Sequence, residues 1–251
     1  MIGKHLEMIV EGRDLQAHCT DMLLPYARGQ LAEPFPLCWC ASSNDESQAV
    51  GAALRAQHYA CIDDVEACTG LHQCLADMHS GGELAPGEIL AGMQQRRRSD
   101  LMRWLPALGA DLQPAIGRVL RAVDRLIAGL AGQKGLREEL HGLPLQRNEV
   151  QATCYPGSAN AHYVRHVDET GQSATRRVLT CIAYANPNWS HGDGGELRLH
   201  LAGKTVDITP RDHRVVIFFS DARVPHEVTP SKKDRYALSV WYHDMTGTDI
   251  A

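Results

Sequence analysis

The sequence lacks three features that would assign it to a membrane, a nucleic acid or the secretory pathway. No uninterrupted apolar run approaches the roughly 18 residues of a membrane-spanning helix, and Met1–Tyr26 contains no continuous apolar core of a secretion signal. The formal charge of −5 argues against a nucleic-acid-binding surface. We expect an intracellular monomer, in the cytoplasm or the nucleus, with neither a nucleic-acid nor a membrane partner.

Paired metal-binding cysteines are also missing. The chain has 8 Cys, but none forms a Cys-x-x-Cys pair, and Cys38-Trp39-Cys40 has no second ligand pair to accompany it. Cys154 and Cys181 lie in apolar, strand-like runs, where cysteine packs as a small core residue. In a long chain without a secretion signal, this pattern predicts reduced thiols and no structural zinc.

The order of the local patterns predicts an α+β protein. Residues 1–49 read as an N-terminal extension of uncertain role, and residues 50–251 as one domain. Within that domain, we expect helical support in residues 50–145 and a β-barrel core in residues 146–251. The core should be a double-sheet jelly roll, because many short strand-like runs follow the helices.

Helical periodicity marks three segments: Asp14–Tyr26, Val65–Met78 and Asp111–Leu130. The last is the most regular, with one apolar stripe, an arginine-rich opposite face and Pro114 in the first turn, where proline is tolerated. We expect this helix to buttress the outside of the barrel. Apolar and β-branched runs predict strands at Tyr59–Ile62, Val178–Ala185, Glu196–Leu201, Thr205–Ile208, Arg214–Phe219 and Tyr236–Tyr242.

Two histidines and one aspartate carry the strongest chemical signal. His166 and Asp168 are two residues apart, so on an extended strand their side chains lie on one face. His226 follows after several predicted strands, and the set matches the two-histidine, one-carboxylate facial triad of non-heme Fe(II) oxygenases. Arg235, nine residues later, can reach the same cavity from the next strand and would bind a dicarboxylate cosubstrate.

The other histidines near these strands are expected at the surface. They are His162, His191, His200, His213 and His243.

Six short motifs, in order and at compatible spacings, give the chain a family resemblance. They are Cys154-Tyr155-Pro156-Gly157, Tyr163 to Asp168, Thr180-Cys181-Ile182, Gly194 to Arg198, Pro225-His226-Glu227-Val228 and Arg235 to Tyr242. Together they resemble the catalytic domain of the 2-oxoglutarate-dependent prolyl hydroxylases that act on hypoxia-inducible factor, and of their protist and bacterial relatives. The likeness is strong over Val150–Asp244 and fainter over His58–Trp104.

The resemblance implies a double-stranded β-helix and a dioxygenase that uses Fe(II), 2-oxoglutarate and O2, with ascorbate as reductant. Such an enzyme hydroxylates a prolyl residue of a protein, at C4 in the trans configuration, and releases succinate and CO2. The family's targets suggest a hypoxia-factor-like protein, a ubiquitin-ligase adaptor subunit or elongation factor Tu as substrate, with a role in oxygen sensing.

The resemblance also assigns roles to individual residues. His166, Asp168 and His226 would hold iron and act in catalysis through it. The cosubstrate would be bound by Arg235, Tyr184, Tyr155, Ile182, Leu197, Val228 and Ser239. Ser239 stands where the family's hypoxia-factor enzymes usually have threonine, which could loosen the packing against the cosubstrate.

Arg98, Asp100, Arg177 and Trp241 would contact the peptide, and Arg177 would pair with Asp100. For two of these residues a plainer interpretation stays open, with Arg98 as a surface residue and Trp241 as core. The sequence departs from the hypoxia-factor enzymes in Glu169–Arg176 and Asn188–Asp193, loops that would influence peptide choice.

Two other functions remain open. The same cofactors could serve to hydroxylate free proline or another small molecule. Alternatively, the barrel could bind metal or peptide without catalysis, although the presence of all three triad residues and Arg235 disfavours this.

Overall fold

The computed structural model describes residues 37–38, 43–87, 97–107, 112–133, 136, 139–140, 145–171 and 176–244. The predicted helix Asp14–Tyr26 and most of the predicted extension lie outside these residues. In chain order the elements are β1 (Leu37–Cys38), α1 (Ser43–Gln57), β2 (Tyr59–Asp63), α2 (Leu71–Ser80), β3 (Ala85–Pro86), β4 (Leu101–Leu105), α3 (Pro114–Ala131), β5 (Gln146–Tyr155), β6 (Tyr163–His166), β7 (Arg176–Tyr184), β8 (Leu197–Leu201), β9 (Lys204–Ile208), β10 (Val215–Phe219), β11 (His226–Val228) and β12 (Arg235–Asp244).

The strands form two sheets. The larger has the order β1-β2-β10-β7-β12-β5-β4-β3 and the smaller the order β6-β11-β8-β9. All pairs are antiparallel except β1 with β2. Strand β10 is apolar throughout, with a fully buried Val-Val-Ile-Phe-Phe, as is typical of a strand that is covered on both faces. The predicted strand regions from Tyr59 onward are confirmed, with ends shifted by one or two residues.

The amphipathic helix predicted over Asp111–Leu130 is α3, which starts at Pro114 in the first-turn position. Its apolar stripe, including Val119, Val123 and Leu130, is buried in the main core. On the sheet side, the Tyr242 hydroxyl of β12 donates to Asp124 Oδ1 at 2.7 Å. Helix α3 therefore contacts the larger sheet through both apolar packing and a partly buried hydrogen bond.

One predicted helix is divided in the structure. Val65–Met78 was expected as a single helix, but a 3-10 turn over Glu66–Cys68 is followed by a separate helix, α2, from Leu71. Gly70 has a φ of 77°, a left-handed conformation that interrupts the helix and that glycine adopts without a side-chain clash.

The sequence analysis gave no bounds for β4 or β5. Both lie beside β12 in the larger sheet. Polar residues such as Gln151 and Thr153 interrupt the apolar pattern of β5, yet both are buried. Their side chains line the candidate site.

In the described part of the chain, no helix combines the length and the apolarity needed to cross a membrane. Among the described residues, five cysteines form no disulfide bond: Cys61, Cys68, Cys74, Cys154 and Cys181.

Candidate active site

Two adjacent strands of the smaller sheet bring the two predicted histidine ligands together. His166 ends β6, His226 begins β11, and the two residues are directly paired across the ladder. Asp168 lies just beyond β6, with Oδ1 3.6 Å from His166 Nε2 and Oδ2 3.7 Å from His226 Nε2. Among the described residues, these three form the one group whose ligand atoms all lie within 4.8 Å of each other.

Both imidazoles are oriented by the same local hydrogen bond. His166 Nδ1 lies 2.9 Å from the Val164 carbonyl oxygen, and His226 Nδ1 lies 3.0 Å from that of Val224. If each Nδ1–H donates to its carbonyl, each Nε2 keeps its lone pair and faces Asp168, the arrangement typical of metal-ligating histidines. Burial lowers the pKa of His226 to about 4, although Asp168 opposes the shift, so the ring is neutral at neutral pH.

Asp168 is held as an ionised acceptor. Burial by itself would raise the pKa of this carboxyl, but His226, His166 and a hydrogen bond from Thr180 hold the pKa well below its usual range. Its Oδ2 accepts from Thr180 Oγ1 at 2.7 Å and from Trp241 Nε1 at 3.0 Å. Thr180 Oγ1 in turn accepts from Ser220 Oγ at 2.8 Å. Two neutral imidazoles and one oriented carboxylate fit Fe(II) as a three-ligand site with open positions.

The triad opens into a pocket whose wall is one face of the larger sheet. Side chains on three neighbouring strands point into it. On β5 and β12 they belong to alternate residues, because successive strand residues face opposite sides of the sheet. From these strands the pocket is lined by Gln151, Thr153 and Tyr155 of β5, by Arg177, Thr180 and Ile182 of β7, and by Arg235, Ala237, Ser239 and Trp241 of β12. The remaining lining residues are Arg98, Trp104, Tyr163, Leu197 and Val228, besides the triad.

Arg235 is the deepest cation of the pocket, with 2% of its surface exposed. Its Nε donates to the Gly195 carbonyl at 2.7 Å and its Nη2 to the Tyr184 hydroxyl at 3.3 Å. The rings of Tyr155 and Tyr184 each lie 4.9 Å from the guanidinium carbon. A Cβ on Gly195 would come within 3.0 Å of the Arg235 side chain, and its φ is 69°. Glycine there makes room for the arginine.

Most of the other predicted cosubstrate residues line the same pocket as Arg235. Ile182, Leu197, Val228, Ser239 and Tyr155 line the pocket. Tyr184 is outside the lining but is joined to Arg235 by the hydrogen bond. Burial raises the pKa of Tyr184 to about 12, despite the opposing effect of Arg235, so its phenol keeps its proton.

Arg98, Arg177 and Trp241 of the predicted substrate residues line the pocket, whereas Asp100 is buried outside the lining. Arg98 is buried, not a surface residue, and donates to both oxygens of Asp100 at 2.7 and 2.6 Å. Arg177 does not form the expected pair with Asp100, because Glu149 on β5, which lies across β12 from β7, accepts from its Nε and Nη2 at 2.7 and 2.9 Å.

Trp241 is buried, lines the pocket and lies 5.6 Å, centroid to centroid, from Trp104. Trp104 is 49% exposed. The guanidinium carbon of Arg177 lies 4.6 Å from the centre of the Trp241 ring. We call Trp104, Trp241 and Arg177 the aromatic rim. Trp241 is thus both part of the packed interior and available to the pocket.

Sequence reasoning assigned no role to several lining residues, among them Gln151, Thr153 and Tyr163. The Tyr163 ring stacks on His166 with centroids 3.8 Å apart. The alternation of Gln151, Thr153 and Tyr155 is a period-two signal that could have revealed one face of β5. No sequence period reveals the role of Tyr163, because its stacking on His166 depends on where β6 ends.

His243 was expected at the surface, and this was wrong. It is 2% exposed and its Nε2 lies 3.0 Å from Glu149 Oε2. The extension of β12 to Asp244 carries His243 into the sheet beside β5 and β7.

Comparison with known proteins agrees with this chemistry. Residues 150–243 match the model of the 2OG-Fe(II) oxygenase superfamily. Mouse prolyl hydroxylase EGLN3 is 36% identical over 174 residues, covering 66% of this chain and 69% of the relative.

Solved structures give the same assignment. A prolyl hydroxylase from Trichoplax adhaerens, in complex with a hypoxia-inducible factor peptide, aligns with a TM-score of 0.72 and 29% identity over 82% of this chain and 92% of the other. A prolyl-4-hydroxylase from Pseudomonas putida aligns with a TM-score of 0.67 and 28% identity over 79% of this chain and 99% of the other. These oxygenases share the double-stranded β-helix, so the predicted core fold is confirmed. The chain belongs to the prolyl hydroxylase family of 2-oxoglutarate- and Fe(II)-dependent oxygenases.

Proposed function

We propose that this enzyme hydroxylates a prolyl residue of a protein, at C4 and in the trans configuration, using Fe(II), 2-oxoglutarate and O2. The observation that carries the proposal is one pocket with the triad, a buried cation and an aromatic rim on its wall. Bound Fe(II) would supply the oxidative decarboxylation of 2-oxoglutarate by O2, which gives succinate and CO2; one oxygen atom of O2 enters succinate and the other is inserted into a C–H bond.

The protein's own part in this reaction is to bind and orient. His166, Asp168 and His226 would hold Fe(II), with the two Nδ1 hydrogen bonds fixing which nitrogen faces the metal. Arg235 would bind the far carboxylate of 2-oxoglutarate, with the Tyr184 phenol beside it. Ile182, Leu197, Val228 and Ser239 would enclose the cosubstrate, and Tyr155 would stand near its chelating end.

The substrate would be a proline-containing protein segment that lies along the aromatic rim. A proline ring is apolar and packs well on an aromatic face, and Trp104 and Trp241 offer two such faces. Arg98, Asp100 and Arg177 would form the polar part of the peptide site. The candidate targets are a hypoxia-factor-like protein, a ubiquitin-ligase adaptor subunit and elongation factor Tu, with oxygen sensing as the role and ascorbate as reductant.

The proposal extends to the organisation of the chain. Residues 50–251 would form the oxygenase domain, in which helices of the 50–145 segment buttress the barrel of residues 146–251. Packing of α3 in the main core supports this, as does the bond from Tyr242 to Asp124. Residues 1–49 would be an extension. We expect a monomer that works in the cytoplasm or nucleus.

Mass spectrometry on prolyl peptides from the three candidate targets tests the function. Each peptide is incubated with enzyme, Fe(II), ascorbate and 2-oxoglutarate, and we expect a gain of one oxygen on proline that disappears without 2-oxoglutarate. Succinate release without any peptide oxidation would shift the function to free proline or another small molecule. Absence of succinate as well would favour the non-catalytic binding barrel.

A further inference from the structure

Among the described residues, three arginines line the pocket. They differ in whether a carboxylate neutralises their charge. Arg98 and Arg177 each form a bidentate pair with a carboxylate, Asp100 and Glu149 respectively. Arg235 donates only to neutral oxygens in the hydrogen bonds assigned to it, those of Gly195 and Tyr184. The aromatic rim is therefore close to neutral, and the uncompensated cation lies deep in the pocket.

Glu149 occupies the edge of Arg177 that a substrate carboxylate would use. Its two oxygens accept from Arg177 Nε and Nη2, while Arg177 Nη1 donates to the Asp168 carbonyl at 3.3 Å. A guanidinium carries five N–H groups, so two remain for neutral acceptors such as a peptide carbonyl.

Glu149 has a second hydrogen-bond partner, His243 on β12, which also stabilises its ionised form. Its Oε2 is 3.0 Å from His243 Nε2 as well as 2.7 Å from Arg177 Nε. Burial would raise the pKa of Glu149, but hydrogen bonds from His243 and Arg177 lower it to about 2. The carboxylate is thus ionised at neutral pH, and it is 31% exposed beside the aromatic rim.

We propose that Glu149 determines the charge preference of the substrate, by pairing with Arg177 so that the aromatic rim selects a segment without acidic residues beside the target proline. This inference rests on the proposed prolyl hydroxylation and names its substrate class. An Asp or Glu next to the proline would approach Glu149, with no unpaired cation among the described residues of the aromatic rim, and like charges repel. Asparagine or an apolar residue there meets no such cost.

The test compares three peptides that differ only in the residue next to the target proline: Asn, its charged isostere Asp, or Lys. For the unaltered enzyme we expect a KM about fivefold higher with Asp than with Asn, the size of one partly exposed ion pair, and no penalty with Lys. In Glu149→Gln, which keeps the shape and removes the charge, the ratio of the Asp to the Asn KM should fall to one or below.

Asp207→Asn is the matched control, because Asp207 forms a comparable bidentate pair with Arg198 on the smaller sheet, at 2.7 and 2.8 Å. This variant should leave the ratio of the KM values for the Asp and Asn peptides unchanged. An unchanged ratio in Glu149→Gln would overturn the proposal. So would an unaltered enzyme that prefers Asp to Asn, a result that does not depend on the variant folding.

Anaerobic binding of the same peptides to the enzyme with Fe(II) and 2-oxoglutarate tests the role of Glu149 separately from prolyl hydroxylation. If no peptide is hydroxylated in air, prolyl hydroxylation fails. The ratio of the dissociation constants for the Asp and Asn peptides still decides the role of Glu149: a weaker Asp peptide supports it, and equal or tighter binding of the Asp peptide overturns it.

Discussion

The metal site and the aromatic rim orient their polar groups by different means. At the metal site, each imidazole is held by a carbonyl only two residues earlier in the chain, Val164 for His166 and Val224 for His226. At the aromatic rim, Arg177 is held by Glu149, 28 residues away. The first arrangement survives wherever the local strand forms, whereas the second depends on the register of β5 and β7 against β12, which lies between them. Substitutions in the two regions test this difference.

Replacing His226 by alanine should reduce 2-oxoglutarate turnover to background, because two ligands remain where three orient the metal. The measurement is Fe(II)-dependent succinate formation, together with Mn(II) affinity by electron paramagnetic resonance. His200→Ala is the control, since His200 lies on the adjacent β8 and contacts Glu227 rather than the triad, and it should stay active. Full activity of the His226 variant without added imidazole would refute the iron assignment.

Arg235→Lys should raise the KM for 2-oxoglutarate roughly tenfold, and Arg235→Ala roughly a hundredfold. A point charge replaces a planar fork in the first variant, and a charge-assisted hydrogen bond of about 1.5–3 kcal/mol is lost in the second. Steady-state kinetics at saturating peptide measure both, and kcat should change less than KM.

Arg198→Lys is the control for these variants, because Arg198 pairs with Asp207 on the smaller sheet. An ordinary KM for 2-oxoglutarate in Arg235→Ala would show that the cosubstrate lies elsewhere.

The contrast also explains how far the sequence could predict this protein. The strands, the longest helix and the metal and cosubstrate residues carry local signals, such as the two-residue spacing of His166 and Asp168. The partner of Arg177 and the burial of His243 carry none, because both depend on how β5, β7 and β12 align. Gly70 was passed over because helical periodicity on both sides of it masked a left-handed residue.

Thr180→Val tests whether the carboxylate of the triad also needs partners that are distant in sequence. The substitution preserves the shape but removes the hydroxyl that donates to Asp168 Oδ2 at 2.7 Å. Metal affinity should fall about tenfold, as is usual when a partner of a metal ligand is lost. Direct titration with Mn(II) measures this without relying on turnover.

Thr229→Val is the matched control, because Thr229 also donates to a carboxylate, that of Glu196, at 2.6 Å, but away from the triad. Unchanged metal affinity in Thr180→Val would mean that the backbone and Trp241 suffice to orient Asp168.

Ser239→Thr should have the smallest effect and should act only on the cosubstrate. Ser239 lines the pocket between Gln151 and Ile182 on the flanking strands, and threonine adds one methyl group while keeping the hydroxyl. One buried methylene-sized group contributes about 0.8 kcal/mol, so the KM for 2-oxoglutarate should fall roughly threefold to fourfold. Ser239→Ala separates the contributions, because it removes the hydroxyl without adding volume. A higher KM in Ser239→Thr would mean that the pocket is already filled at this point, and that the added methyl is accommodated only by moving Ile182 or the cosubstrate.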